Sequence, residues 1–153
     1  MEKKWLKVVL NKDMDPALLE RAESIFHNDN LTETILHAHL LIERALTSKI
    51  AAKLARPEIV SRGHWSFHQK VLLFIALFDP PEDVEKNLKA FNKLRNGIAH
   101  NLGDEFSLVD SCIPYPTGGP LDHLMKVRVA AMRLLYCDLD AFDEIGPLNR
   151  NSN

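Results

Sequence analysis

Cysteine is nearly missing from this chain: of 153 residues only Cys112 and Cys137 carry a thiol, far apart and in no metal-ligand spacing. That excludes a disulfide framework and fits a reducing compartment. Glycine is sparse too, with six residues. None of them builds a phosphate-cradling loop or a GxSxG turn, and there is no CxxC pair, so the mainstream kinase, hydrolase and redox classes have no support. Apolar runs are short. The longest spans residues 71–78 and falls well below a bilayer crossing. The basic opening, Met1-Glu2-Lys3-Lys4-Trp5, precedes an apolar stretch too brief for a secretory leader. A cytoplasmic protein with no membrane partner is the expectation. Neither sign of charge dominates: 19 lysines and arginines against 21 acids leave a formal charge of −2. Bulk electrostatic binding of long nucleic acid calls for a basic surplus, so any RNA contact has to come from a local patch, and no DNA binding is expected.

What the sequence does hold is helical pattern. The apolar fraction is 46%, enough to bury a core without covalent staples. Asp15-Pro16 pairs a capping acid with proline at a first helical position and predicts a short helix to about residue 27, broken by Asn28-Asp29-Asn30. A long helix follows over 31–55, with Ile35, Ala38, Ile42, Ala45, Leu46 and Ile50 on one stripe; Pro57 stops it. A third helix over 65–77 is apolar on every face between Val71 and Phe78. Such a helix has to be covered on all sides, either at the centre of the bundle or at a dimer interface. Asp79-Pro80-Pro81 separates it from a fourth helix over 81–100. Residues 103–120, with three prolines and three glycines, read as a long irregular connection, either a packed surface loop or a lid. A last helix is expected over 121–145, stopped by Gly146-Pro147. The prediction is an all-α fold: an up-and-down bundle of four main helices plus a short N-terminal one, dimeric, forming one domain over 1–146 with a flexible polar tail at 147–153.

The fourth helix carries the one arrangement with chemical content. Positions 84, 88, 91, 95, 98 and 102 recur at helical spacing and are apolar except for Arg95. An arginine on an apolar stripe needs an anion, a route to water, or an acid such as Glu43 or Asp104. His100 lies five residues later, about 140° around an ideal helix, so the two converge only if the helix loosens, for which Gly97 offers the freedom. Asn96 adds a neutral donor. Together an arginine, an amide and an imidazole suit a phosphodiester, the first gripping phosphate oxygens and the last moving protons.

Arg95-Asn96-Gly97-Ile98-Ala99-His100 resembles the signature of HEPN-domain proteins, an arginine, often followed by a polar residue, then a histidine after four to six positions. The helical lead-in 88–94 and the long-helix segment 39–46 are similar to the same fold, and the resemblance extends over about residues 31–145. It implies a small helical bundle that dimerises to bring two motif copies into one cleft. It further implies a metal-independent endoribonuclease, often a toxin of a toxin–antitoxin or phage-defence system, acting without cofactors. Under that resemblance Arg95 orients the scissile phosphate, Asn96 assists, and His100 is the acid and base for attack by the ribose 2′-hydroxyl. The partners implied are an RNA substrate, a second copy, and a cognate antitoxin or regulatory protein. One toxin branch carries a tyrosine two positions after the histidine as a modification target; Leu102 stands there in this chain. Other members are non-catalytic regulatory or interaction modules, and that alternative stays open.

Three lysines, Lys86, Lys89 and Lys93, recur on the motif helix beside Arg95, as an RNA-backbone contact or as an ordinary solvated face. Glu43 is read as a surface ion pair or as an acid that positions Arg95. His64 and His68, four apart, match a metal-binding spacing but lack a third ligand, so no metal site is assigned. His37 and His39 point to different faces of the long helix. Trp65, Phe67 and Phe74 are assigned to core or interface.

Overall fold

The computed structural model describes residues 29–100, 103, 105–113, 123–135 and 139. Within them the chain is all-helical, with no strand. The expected first helix over 15–27 and the tail at 147–153 lie outside the described residues. In chain order the helices are α1 (Leu31–Lys53), α2 (Glu58–Arg62), α3 (Phe67–Phe78), α4 (Glu82–His100), α5 (Glu105–Cys112) and α6 (His123–Arg133). None is long and apolar enough to cross a membrane among the described residues.

Helix α1 is the element around which the others gather, packing on α2, α3, α4 and α6. Asn30 caps it by accepting the Glu33 amide at 3.0 Å. Its stripe Ile35, Ala38, Ile42, Leu46 and Ile50 has no solvent exposure at all, the spacing of a single helical face turned wholly inward. Helix α3 starts from a capping box in which Ser66 and Gln69 exchange side-chain and backbone hydrogen bonds. It ends where Asp79 takes a left-handed conformation ahead of Pro80.

Three contacts fix the sense in which α1 and α3 lie together. His39 meets Phe67, Glu43 meets Lys70, and Lys53 sits over Phe78. Residue numbers rise together along both helices, so the two run in the same direction. The up-and-down expectation fails for this pair because residues 54–66, containing only the five-residue α2, return the chain to the starting end.

Among the described residues the all-apolar helix is buried along one face and partly open on the other. Phe67, Val71 and Phe74 are buried, whereas Leu72 and Leu77 are 47% and 38% exposed. The neighbouring α1 likewise exposes Leu36 and Leu40.

The expected irregular stretch over 103–120 needs correction, because its first half is helix α5. Val109, Cys112 and Ile113 recur at helical spacing and are buried. The prolines that gave the segment its irregular look begin only at Pro114 and mark where the helix has already ended. Helix α6 is shorter in its described part than the predicted 121–145, and a hydrogen bond from the Leu139 amide to the Leu134 carbonyl closes a wider turn beyond it.

Gly97 has a role the sequence did not suggest. Helix α4 continues unbroken to His100, so the glycine does not loosen it. A Cβ at Gly97 would come within 2.8 Å of Leu108 Cδ2, so glycine lets α5 lie close against α4. Alanine in a helix interior normally gains about 1 kcal/mol over glycine, and overpacking costs about 1–3 kcal/mol. Gly97→Ala alone is therefore neutral or destabilising in urea unfolding, whereas the same change in a Leu108→Ala background stabilises by about 1 kcal/mol. Equal effects in both backgrounds would refute the close approach.

Candidate functional site

The site begins with where α4 turns its faces. Val84, Asn87, Leu88, Phe91, Leu94 and Ile98 are buried. The inward stripe passes through Leu94 at the level where the sequence pattern placed Arg95. Helices alternate steps of three and four, and the pattern reading took a step of four at 91 where the fold takes a step of three. Arg95 therefore stands just outside the core, exposed, and is no buried charge.

Asn96 and His100 are exposed as well. The Arg95 Nη1 donates to Asn96 Oδ1 at 3.3 Å, a long hydrogen bond that ties the first two motif residues together. Arg95 has no ion pair with an acid among the described residues. Since α4 is regular through its end, Arg95 and His100 of one copy remain about 140° apart around the helix axis and do not converge on one point.

Glu43 is taken by another partner. Lys70 Nζ donates to Glu43 Oε1 at 2.8 Å, and the lysine side chain is only 12% exposed. This shielded pair joins α1 to α3 and leaves the carboxylate committed away from Arg95. Asp104 lies outside the described residues.

The lysine stripe is largely neutralised by its own helix. Lys86 Nζ meets Glu82 Oε1 at 2.7 Å, and Lys89 pairs with Glu85. The Lys86 hydrogen bond holds the Glu82 carboxyl below the ordinary carboxylate range, and the same contact raises the Lys86 amine. Lys93 is exposed and makes no ion pair among the described residues. One uncommitted lysine next to Arg95 is what survives of the basic stripe.

His39, whose spacing from His37 points only to a different helix face, is a buried group in the fold. It is 6% exposed, its ring centroid lies 4.2 Å from that of Phe67, and its Nε2 is buried without a hydrogen-bond partner. Burial lowers its proton affinity below the ordinary imidazole value; Glu43 acts in the opposite sense, and the Arg95 and Lys70 cations lower it further. The signal available in sequence was the spacing of His39 and Glu43, one turn apart on α1. His37 is exposed, as the two-residue offset predicted.

His64 and His68 do not share a helical face, since α3 begins only at Phe67 and His64 precedes it. Among the described residues no group of three or more His, Cys, Asp or Glu side chains is placed to hold a metal ion. Phe67 and Phe74 are core residues, and Trp65 packs partly buried against the same core. Cys112 is a buried free thiol. An open groove of about 550 Å³ runs beside the Glu43–Lys70 pair, lined also by Arg44, Thr47, Ser48 and Ser61.

Compared with known proteins, the chain matches no family model, no curated protein and no solved structure.

The depressed proton affinity of His39 has a definite consequence for stability. Above the ordinary imidazole pKa near 6.5 the ring is neutral in both folded and unfolded chains. Below it the unfolded chain takes up a proton that the folded one resists, so the stability contributed by the neutral ring is lost as pH falls. Urea midpoints should drop between pH 7.5 and 5.5 in the wild type and drop less in His39→Leu. An equally steep loss in both would remove His39 as the cause.

Proposed function

We propose that this chain is a HEPN-type, metal-independent endoribonuclease that acts as a homodimer, with Arg95 holding the scissile phosphate, Asn96 steadying the guanidinium, and His100 moving protons during attack by the 2′-hydroxyl. The observation that carries the reading is the state of Arg95: exposed, tethered only to its neighbour Asn96, and free of any acid among the described residues. A guanidinium used for structure is normally neutralised by a carboxylate, whereas one kept for a phosphate has its fork open.

The second copy is part of the proposal for a geometric reason. Arg95 and His100 diverge around α4, so one chain alone does not set both against a single phosphate. Two copies, each offering one of the two residues to a shared cleft, can. The half-open apolar side of α3, with Leu72 and Leu77, is consistent with a further surface to cover.

One observation favours the second reading, a non-catalytic HEPN-like regulatory or interaction module. Lys86 and Lys89 are engaged by Glu82 and Glu85, which weakens the case for a wide RNA-backbone footprint. A nuclease built this way would make few phosphate contacts and show a shallow salt dependence.

Induced expression and purified protein together test the function. Wild type should arrest growth and cleave RNA in the presence of EDTA, leaving a 2′,3′-cyclic phosphate. Arg95→Ala and His100→Ala should each lower the cleavage rate by about 10²–10⁴-fold while remaining folded. Intact RNA in every condition, with EDTA or with Mg²⁺, would leave the interaction module as the surviving reading.

A further inference from the structure

The groove beside the Glu43–Lys70 pair is walled by three helices, and among the described residues none of its lining comes from α4. Leu40, Arg44 and Ser48 stand one turn apart on α1, Ser61 comes from α2 and Lys70 from α3. The side chains of Thr47, Ser48 and Ser61 are small, and their size leaves about 550 Å³ open. That is the capacity of a site for a small organic molecule.

The polar groups of the groove divide into two sets. The Arg44 guanidinium is exposed and makes no ion pair or hydrogen bond among the described residues, so its five N–H donors are uncommitted. The Ser48 hydroxyl, one turn further on, is uncommitted too. Lys70 donates to Glu43 at 2.8 Å, which holds the ammonium in place with two N–H groups to spare. These three side chains are the donor set. Thr47 Oγ1 has spent its proton on the Glu43 backbone carbonyl at 2.9 Å, and Ser61 Oγ on the Pro57 carbonyl at 3.1 Å. Both hydroxyls, with the Glu43 carboxylate, therefore meet a ligand as acceptors.

We infer that this groove is a binding site for a small phosphorylated polyol, a sugar phosphate by chemical class, distinct from the Arg95 motif on α4. The fork of Arg44 alone satisfies both oxygens of a carboxylate. The Ser48 hydroxyl and the Lys70 ammonium add donors that a third anionic oxygen uses, so phosphate fits the whole set and a carboxylate leaves part of it idle. Charge agrees, because Arg44 and Lys70 outweigh Glu43 and leave the donor set cationic. The acceptor oxygens of Thr47, Ser61 and Glu43 repel a phosphate and accept from ligand hydroxyls, which sets the ester's two ends apart. Leu40, the first residue of α1 in the groove and 58% exposed, gives the ligand's carbon skeleton an apolar contact. Contacts made in so open a groove weaken as salt is raised.

The test is calorimetry and amide NMR on the full chain with ribose 5-phosphate, ribose and inorganic phosphate. Ribose 5-phosphate should bind one to one, with shifts gathered on residues 40–51, 61 and 70 and not on 93–100. Inorganic phosphate and ribose should each bind about tenfold more weakly, since each meets only one of the two sets. Arg44→Ala changes an exposed side chain without a partner in the described fold, and it should weaken ribose 5-phosphate about tenfold. Ser48→Ala should weaken it severalfold. Arg95→Ala should leave the affinity unchanged, so that loss of RNA cleavage and loss of this site are read separately. Absence of saturable binding, wild-type affinity in Arg44→Ala, or shifts centred on 93–100 overturns the inference. Inorganic phosphate that binds as tightly as the ester overturns the polyol assignment.

Discussion

Complete burial of one face of α1 is the constraint on which the other positions depend. Five apolar side chains from Ile35 to Ile50 are removed from water along more than four helical turns, and each of α3, α4 and α6 has to present an apolar stripe to them. At roughly 1.5–3 kcal/mol per large aliphatic side chain buried, that face is a major source of stability in the described fold. Because α1 and α3 run in the same direction, the polar edge between them gathers Glu43, Lys70 and His39 on one side. Because α4 buries Leu94 and Ile98 against the same core, Arg95 is left exposed at the margin of that core.

Charge pairing then decides which groups remain available for chemistry. Glu43 is taken by Lys70, a largely buried ammonium on α3. A buried ammonium left alone costs far more than an exposed guanidinium left alone. The same logic on the surface pairs Lys86 with Glu82 and Lys89 with Glu85 one turn away, contacts worth little in stability but sufficient to cancel a local positive field. Arg95, like its neighbour Lys93, has no acid partner among the described residues. Its exposure and its tether to Asn96 support the nuclease proposal, while the divergence of Arg95 and His100 around α4 is what makes that proposal dimeric.

Much of this was legible in the residues, and the departures have local physical causes. The all-α class, the stripe of α1, the stop at Asp79-Pro80 and the burial of Phe67 and Phe74 follow from periodicity and from proline chemistry. Helix α5 was hidden by prolines that begin just after it ends, since a composition window blurs a helix into the breakers beside it. The inward step at Leu94 and not Arg95 was ambiguous because both positions fit a helical repeat, and only packing against α1 chooses. Gly97 was read as freedom and serves as clearance, because the side chain that needs the room, Leu108, belongs to a helix the pattern missed. The Glu43–Lys70 pair and the unpaired nitrogen of His39 join residues on different helices, and no spacing rule within one segment reaches them.

The proposed site needs Arg95 and His100 acting together from two copies of the chain, and mixing the two inactive variants tests that directly. Arg95→Ala and His100→Ala proteins, each inactive, are unfolded together, refolded as a mixture and assayed on RNA. If each site takes its arginine from one copy and its histidine from the other, half of the dimers are mixed and each regains one intact site of two, so about a quarter of wild-type activity returns. A mixture that forms mixed dimers yet stays as inactive as its components would contradict the composite site.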